Sequence, residues 1–350
     1  MPEVASGPAI ALGIDTFGDV TFGDKGQLLP QADVLRNVVT EAIVADQVGI
    51  DAFSVGEHHR ADFAVSAPEV VLAAIATKTS RIVLGSAVTV LSTDDPVRVF
   101  QRFSTLNAVS HGRAEVTLGR GSFTESYPLF GFDMADYELL FEERVQVFAK
   151  LLEGKPFSWS GKTHAPLNNV TAYPPIEPGR KLRTWIGVGG SPESVVRAAR
   201  YDIPLILAII GGNPARFKPY ADLFRDSLEK AGKPQLPIGA HSPGHVAEND
   251  DQAKTEVWPH HLAMISRIGR ERGWAPPSRE QFERETGPDG ALYVGSPETV
   301  AQKIAKTVRT LGLSRFDMKY SSGTLPHDKM LRSIELFGTK VIPRVRELLS

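Results

Sequence analysis

The feature that most constrains this chain is an alternation of short apolar runs, rich in β-branched residues, with amphipathic helical stretches. Residues 9–16 read as a first strand, and 33–48 as the helix after it, with Val34, Val38, Ala42, Ala45 and Val48 on one face. Strand 52–55 with helix 68–77, strand 82–91 with helix 97–110, and strand 114–118 with helix 137–152 follow. The pattern resumes with strand 182–188 and helix 192–200, strand 204–210 and helix 215–231, and strand 236–241. Strand 316–320 and a helix over 328–349 close it. Strand 82–91 has the Val and Ile content expected of a strand buried on both faces. Residues 155–173 hold short β-like pieces with turn residues and predict a hairpin insertion.

Eight strands alternating with helices predict parallel β/α units. A doubly wound open sheet would alternate in the same way. The count of strands and the length of 350 residues favour an α/β fold of the (β/α)8 or TIM-barrel type with insertions. With no repeat, low-complexity tract or linker, residues 1–350 read as one domain. The stretch 258–290, between strands seven and eight, carries Pro259, Pro276, Pro277, Pro288 and many charges. It reads either as an extended connection with one or two helices or as a lid over the strand ends.

Composition removes several function classes. A net charge of −2 gives no footprint for nucleic acid or an acidic membrane. The absence of cysteine excludes disulfides and thiolate metal sites, and fits a reducing, cytoplasmic compartment. Residues 1–12 lack the charge and apolar pattern of a secretory leader, and the apolar run 203–210 is too short to span a bilayer.

Chemistry in a barrel gathers at the C-terminal ends of its strands, and four polar clusters fall there. Glu57-His58-His59-Arg60 follows strand two, where a carboxylate and imidazoles can serve as general acid or base, or form a solvated turn. Two adjacent imidazoles on extended backbone point to opposite faces, and no HExxH spacing is present, so no metal site is expected. Gly119-Arg120-Gly121-Ser122 follows strand four; the glycines admit a close ligand and the arginine can grip a phosphate. Gly187-Val188-Gly189-Gly190-Ser191-Pro192-Glu193-Ser194 follows strand five and opens a helix. Ser191 suits the N-cap and Pro192 the first turn, which makes an anion site or merely a cap. Gly295-Ser296-Pro297-Glu298-Thr299 repeats that capping chemistry without the Gly-Gly. Residues 89–95, with Thr89, Ser92 and Thr93, read as a hydrogen-bonding loop, and His260-His261 as surface helix. A dinucleotide fingerprint would need glycine at Pro192, and neither a phosphate-loop sequence GxxxxGK nor a GxSxG elbow occurs.

Several of these runs together resemble the bacterial luciferases and luciferase-like flavin monooxygenases. They are Gly49 to His59; Thr79 to Val88 with Pro96-Val97-Arg98; Leu106 to Gly121; and, near the C-terminus, Gly295-Ser296-Pro297-Glu298 and Leu331 to Pro343. The resemblance covers nearly the whole chain. It implies a barrel that works with reduced FMN and O2, through a C4a-peroxyflavin, on a small organic substrate. It also implies a homodimer, with a separate flavin reductase as a possible source of electrons. Carried over residue by residue, Arg120 with Gly189, Gly190, Ser191 and Ser194 would hold the FMN phosphate. His58 would be the catalytic imidazole, Glu57 would lie beside the isoalloxazine, and Ala87-Val88 would form a non-prolyl cis peptide under the flavin. Gly119 stands where luciferase carries a reactive cysteine, so light emission is not implied. Three alternatives remain open: a hydride-transfer enzyme using the deazaflavin F420, a flavin-binding protein without turnover, and a metal-dependent hydrolase using His58 and His59.

Overall fold

The computed structural model describes residues 10–23, 25–121 and 123–350, so Ala9 and Ser122, included in the expectations above, lie outside the described residues. Eight parallel strands form the barrel: β1 Ala11–Thr16, β2 Ala52–Val55, β3 Val83–Ser86, β4 Glu115–Gly119, β5 Arg183–Val188, β6 Leu205–Ala208, β7 Ile238–Val246 and β8 Arg315–Lys319. Their order is β3-β2-β1-β8-β7-β6-β5-β4. A bridge between Leu84 and Ala114 and the pairing of Thr89–Val90 with β4 bring the two edges together. The expected β/α barrel is therefore present.

The helices around it include α1 Gln31–Gln47, α2 Pro68–Ala76, α3 Pro96–Val109, α4 Tyr137–Leu152, α5 Pro192–Arg200, α6 Lys218–Lys230, α7 Pro297–Leu311 and α8 His327–Leu336. Strand alternation turns one row of side chains outward to these helices. Leu12, Ile14, Phe53, Val116, Ile186 and Phe316 in that row are fully buried; each contributes about 1.5–3 kcal/mol by leaving water. Caps fix the helix starts that pitch the loops. Asp95 accepts from the N–H groups of Val97 at 2.8 Å and Arg98 at 3.1 Å, with Pro96 as the first helical residue of α3.

The third strand is largely buried, as expected, but the inner row of β4 and β8 is polar. Arg315 donates to Asp317 at 2.9 Å and to Glu115, all three buried inside the barrel. Lys319 donates to both carboxylate oxygens of Asp19, at 3.1 and 3.0 Å, and to the carbonyl of Ser321 at 2.6 Å. A run of Val and Ile reports only the outward face, because paired charges hidden inside satisfy one another.

Other departures are local. The third strand is not continuous over 82–91: it breaks at a cis peptide between Ala87 and Val88 and resumes as Thr89–Val90. The hairpin insertion forms, from Phe157–Trp159 and Leu167–Val170. β7 runs to Val246, five residues beyond expectation, and its end pairs with a short strand, Tyr293–Gly295, that the sequence reading missed. The closing helix continues from α8 through a π-helical turn, Phe337–Val341, into Ile342–Leu349.

The connection between β7 and β8 holds two helices, within the one or two expected. A helix over Asp250–Arg272 is capped by Asn249, whose side chain accepts from Gln252 N–H at 2.9 Å, and ends at left-handed Gly273. Pro259 sits inside it without ending it. The carbonyl of Thr255 that proline leaves unpaired lies on an exposed residue, where water can satisfy it. A second helix, Arg279–Thr286, folds back. Ala247, Ala253, Val257, Phe282, Leu292 and Val294 form a small apolar cluster of their own, apart from the main core. No described helix is long and apolar enough to cross a membrane.

Candidate active site

At the end of β2, backbone bonds fix two side chains. Glu57 N–H donates to Val88 O at 3.0 Å and His58 N–H to Val65 O at 2.9 Å. The buried Glu57 carboxylate accepts from Nε2 of His59 at 2.9 Å and from the N–H of Val90 at 2.8 Å. It thereby ties β2 to the backbone just past the cis peptide.

His58 points the other way, into a box of phenyl rings. Its ring stacks on Phe17 at 4.2 Å between centroids, with Phe63 at 4.6 Å and Phe123 at 5.4 Å edge-on. Both imidazole nitrogens are shut off from solvent and have no hydrogen-bond partner. An unsatisfied buried polar group costs about 1–3 kcal/mol. Burial pushes the His58 pKa down to about 3, against the opposing carboxylate of Asp19. The ring is therefore neutral at physiological pH, which corrects the expectation of an imidazole titrating near neutrality. With His59 turned to Glu57 and His58 among phenyl rings, the two do not converge on a metal.

Between these residues and β4 and β5 lies the Ala87–Val88 cis peptide. The Val88 side chain fills the space over Gly119 and Gly187. A Cβ on residue 119 would sit 2.5 Å from Val88 Cγ2, closer than atoms pack, so position 119 takes glycine here.

Arg120, next in the chain, reaches α5. It donates to Ser194 Oγ at 3.2 Å and to Glu138 on α4, and its guanidinium lies 4.7 Å from the Tyr137 ring centre. Arg197, which the sequence reading missed, joins the cluster. It donates to the same Ser194 hydroxyl at 3.3 Å, to Glu138 at 3.2 Å and to Glu142 at 2.6 Å. The signal was present in the spacing, since three residues along a helix return to the same face. Ser191 caps α5 as expected, its Oγ accepting from Ser194 N–H at 3.3 Å. A Cβ on Gly189 would meet nothing within 4 Å, and Gly190 has φ +122°. The turn is open, and two guanidiniums stand beside a helix N-terminus, which suits a phosphate-sized anion.

The second Gly-Ser-Pro-Glu sequence shows what such a turn attracts. There Asp250 inserts its carboxylate, accepting from Ser296 N–H at 2.6 Å and Thr299 Oγ1 at 3.0 Å. That copy is closed by a carboxylate from a distant helix, whereas at 189–191 only local carboxylates engage the turn, Glu193 accepting from Ser191 Oγ at 2.8 Å and Glu138 from the two arginines, and the Gly189-Gly190 backbone stays uncovered.

The long helix covers the His58 side of this face. Arg60 donates to Asp62 at 3.0 Å, to Glu271 at 2.7 Å and to Glu125, drawing the loops after β2 and β4 to the helix end. Phe123 lies between the guanidiniums of Arg60, at 4.4 Å, and Arg272, at 5.0 Å. His260 bonds Thr324 Oγ1 at 2.8 Å, and His261 packs on Phe282, burial pushing its pKa down to about 4. The two are half-buried, not the surface pair expected.

A further pair, unread in the sequence, stands at the barrel mouth. His241 on β7 donates from Nδ1 to Asp15 Oδ2 on β1 at 2.7 Å. The Asp15 side chain is fully buried while that of His241 keeps 12 % exposure, with Phe17 stacked 6.5 Å away.

The profile of the luciferase-like monooxygenases matches residues 16–315. Limonene 1,2-monooxygenase of Rhodococcus erythropolis is 26 % identical over 346 residues, covering 94 % of this chain and 87 % of that protein. The monooxygenase RslO1 of Streptomyces bottropensis superposes with a TM-score of 0.81 at 22 % identity, over 95 % of this chain and 99 % of that one. The oxygenating constituent of 3,6-diketocamphane monooxygenase from Pseudomonas putida, solved in complex with FMN, gives 0.76 at 18 % identity, over 96 % and 98 %.

Proposed function

The chain belongs to the luciferase-like monooxygenase family, whose members work with FMN or with F420, and from that premise we propose that it is an FMN-dependent monooxygenase. Reduced FMN and O2 are its cosubstrates and a small organic molecule is oxygenated. The observation that carries this reading is the shared face of β2 to β5. At one end Arg120, Arg197 and Ser194 surround an open Gly189-Gly190-Ser191 turn. At the other stands an imidazole whose two nitrogens lack partners in an otherwise apolar box.

The residues fit the cofactor in kind. Arg120, Arg197, Ser194 and the free N–H groups of the turn would hold the phosphate, and Ala87-Val88 would support the ring from below. Glu57 and His58 would flank it. When bound, reduced flavin supplies two electrons to O2, one oxygen atom passing to the substrate and the other leaving as water. The protein orients and shields. Phe17, Phe63, Phe123 and the helix Asp250–Arg272 keep water from the reacting face. His58, neutral throughout, offers a hydrogen bond rather than a charge. The resemblance also supports a homodimer supplied by a separate flavin reductase, and the lack of cysteine fits a cytoplasmic setting.

Titration of the purified protein with FMN, reduced FMN and F420, followed by oxygen uptake with reduced FMN over a panel of aldehydes and alkyl compounds, tests this. FMN binding with substrate-dependent oxygen consumption is expected. Preference for F420 would replace the reading with hydride transfer, and FMN binding with no substrate oxidised would leave a binding protein.

A further inference from the structure

Two histidines face the barrel mouth, and their surroundings are opposite. His58 lies among phenyl rings with no hydrogen bond to either nitrogen. His241 is oriented by a carboxylate that is itself buried, and the two rings flank Phe17, inclined to it by 24° and 20°. The charged groups that face His241 come from two strands: Asp317 and Lys319 from the adjacent β8, and Asp15 from β1 beyond it. On β6 its partner in register is the uncharged Ala208.

Asp15 Oδ2 accepts the Nδ1 proton, so the tautomer is fixed and Nε2 is the working nitrogen. Among the described residues Nε2 has no hydrogen-bond partner, and it is not among the buried orphan atoms. It is therefore open to whatever occupies the mouth. Burial disfavours a charge on His241, but the adjoining carboxylate outweighs it and holds the imidazole above its ordinary range. Lys319 does not compete for this role, because its ammonium is spent on Asp19 and Ser321.

We propose that His241, held by Asp15, is the cationic hydrogen-bond donor of the mouth and meets the negative charge of the reduced isoalloxazine ring. The inference rests on the flavin reading above. Reduced flavin carries a negative charge on its ring near neutral pH, and the nearest other cations are engaged elsewhere, Lys319 on Asp19 and Ser321 and Arg60 on Asp62, Glu125 and Glu271. His241 also has a carboxylate partner, but Asp15 fills only Nδ1 and leaves Nε2–H for a ligand. Within this reading His241 is a catalytic residue and Asp15 a positioning residue.

Anaerobic titration with FMN in both oxidation states, between pH 6 and 9, separates the possibilities. In the native protein the preference for reduced over oxidised FMN should weaken as pH rises through the His241 titration. H241Q should lose about tenfold or more of that preference and its pH dependence, with oxidised FMN binding little changed. D15N should move the transition to lower pH while keeping the step, and ring-nitrogen NMR should follow the same shift in His241 without cofactor. An H241Q protein with native preference and pH profile overturns the proposal. So does a His241 ring that titrates but does not respond to reduced FMN. If the native protein binds neither form of FMN, the flavin reading fails instead, and the two failures are told apart.

Discussion

The imidazole of His58 lies 4.2 Å from the ring of Phe17 with the planes 24° apart, a stack that leaves both ring nitrogens dry and unpaired. A position of this kind is costly to the fold. His58→Leu should therefore stabilise the protein by about 1–3 kcal/mol near pH 5 while abolishing or crippling turnover. The pH dependence carries a sign. The folded pKa, about 3, lies below the ordinary 6.5, so below pH 6.5 the unfolded chain takes up a proton that the folded one refuses. Native stability falls across that window as pH drops, and the variant should lack this slope. Urea unfolding at pH 5 and 7.5 measures both.

The anion turn holds a competitor. Glu138, 62 % exposed, accepts from both Arg120 and Arg197. Arg120→Ala should weaken FMN binding by about 10- to 100-fold, the range of a charge-assisted hydrogen bond. Glu138→Gln should strengthen it by a few-fold, because the two guanidiniums are then released to the phosphate. Flavin fluorescence quenching reads both, and an Arg120→Ala protein with native affinity would remove the phosphate role.

Val88 and Gly119 interlock. Gly119→Ala places a methyl 2.5 Å from Val88 Cγ2 and should cost about 1–3 kcal/mol. Val88→Ala should recover much of that loss in the double variant, giving a non-additive cycle in thermal unfolding.

Acid should loosen the long helix before the barrel. Glu256 accepts from His245 at 2.8 Å on β7, from Gln252 at 3.0 Å and from Lys329 at 3.1 Å on α8. The His245 contact, first among these, holds its carboxyl at about 2 despite burial. A depressed carboxylate stabilises above its unfolded value near 4.5, and that contribution is lost as pH falls toward 2. About 1–2 kcal/mol is at stake once solvent screening is allowed for. Glu256→Gln should flatten the loss, and hydrogen exchange across 250–272 at pH 3 and 6 reports it locally.

The barrel was legible because each strand advertises its outward row. Leu12, Ile14, Phe53 and Val116 are apolar in sequence and pack against helices, so the eight strands were countable from pattern, and count with length favoured a barrel over an open sheet. The inward row was not legible, since Glu115, Arg315 and Asp317 become compatible with burial only through partners up to 200 residues away. At the site, Glu57, His58, Arg120 and Ser191 stood out because they end strands or start a helix. Asp15 and His241 did not, because only the closed barrel brings together two side chains 226 residues apart. A helix around His260 was read, but not its unbroken course through Pro259 from 250 to 272: local propensity condemns proline, while an exposed carbonyl tolerates it. His261 likewise reads as surface until Phe282 returns to cover it.

The separate apolar cluster around Val257 and Phe282 has an evolutionary consequence. Because the roof over the mouth carries its own miniature interior, its sequence can drift without disturbing the eight strands beneath. Selection for new substrates can work on that cassette alone, leaving the barrel and the anion turn as inherited machinery.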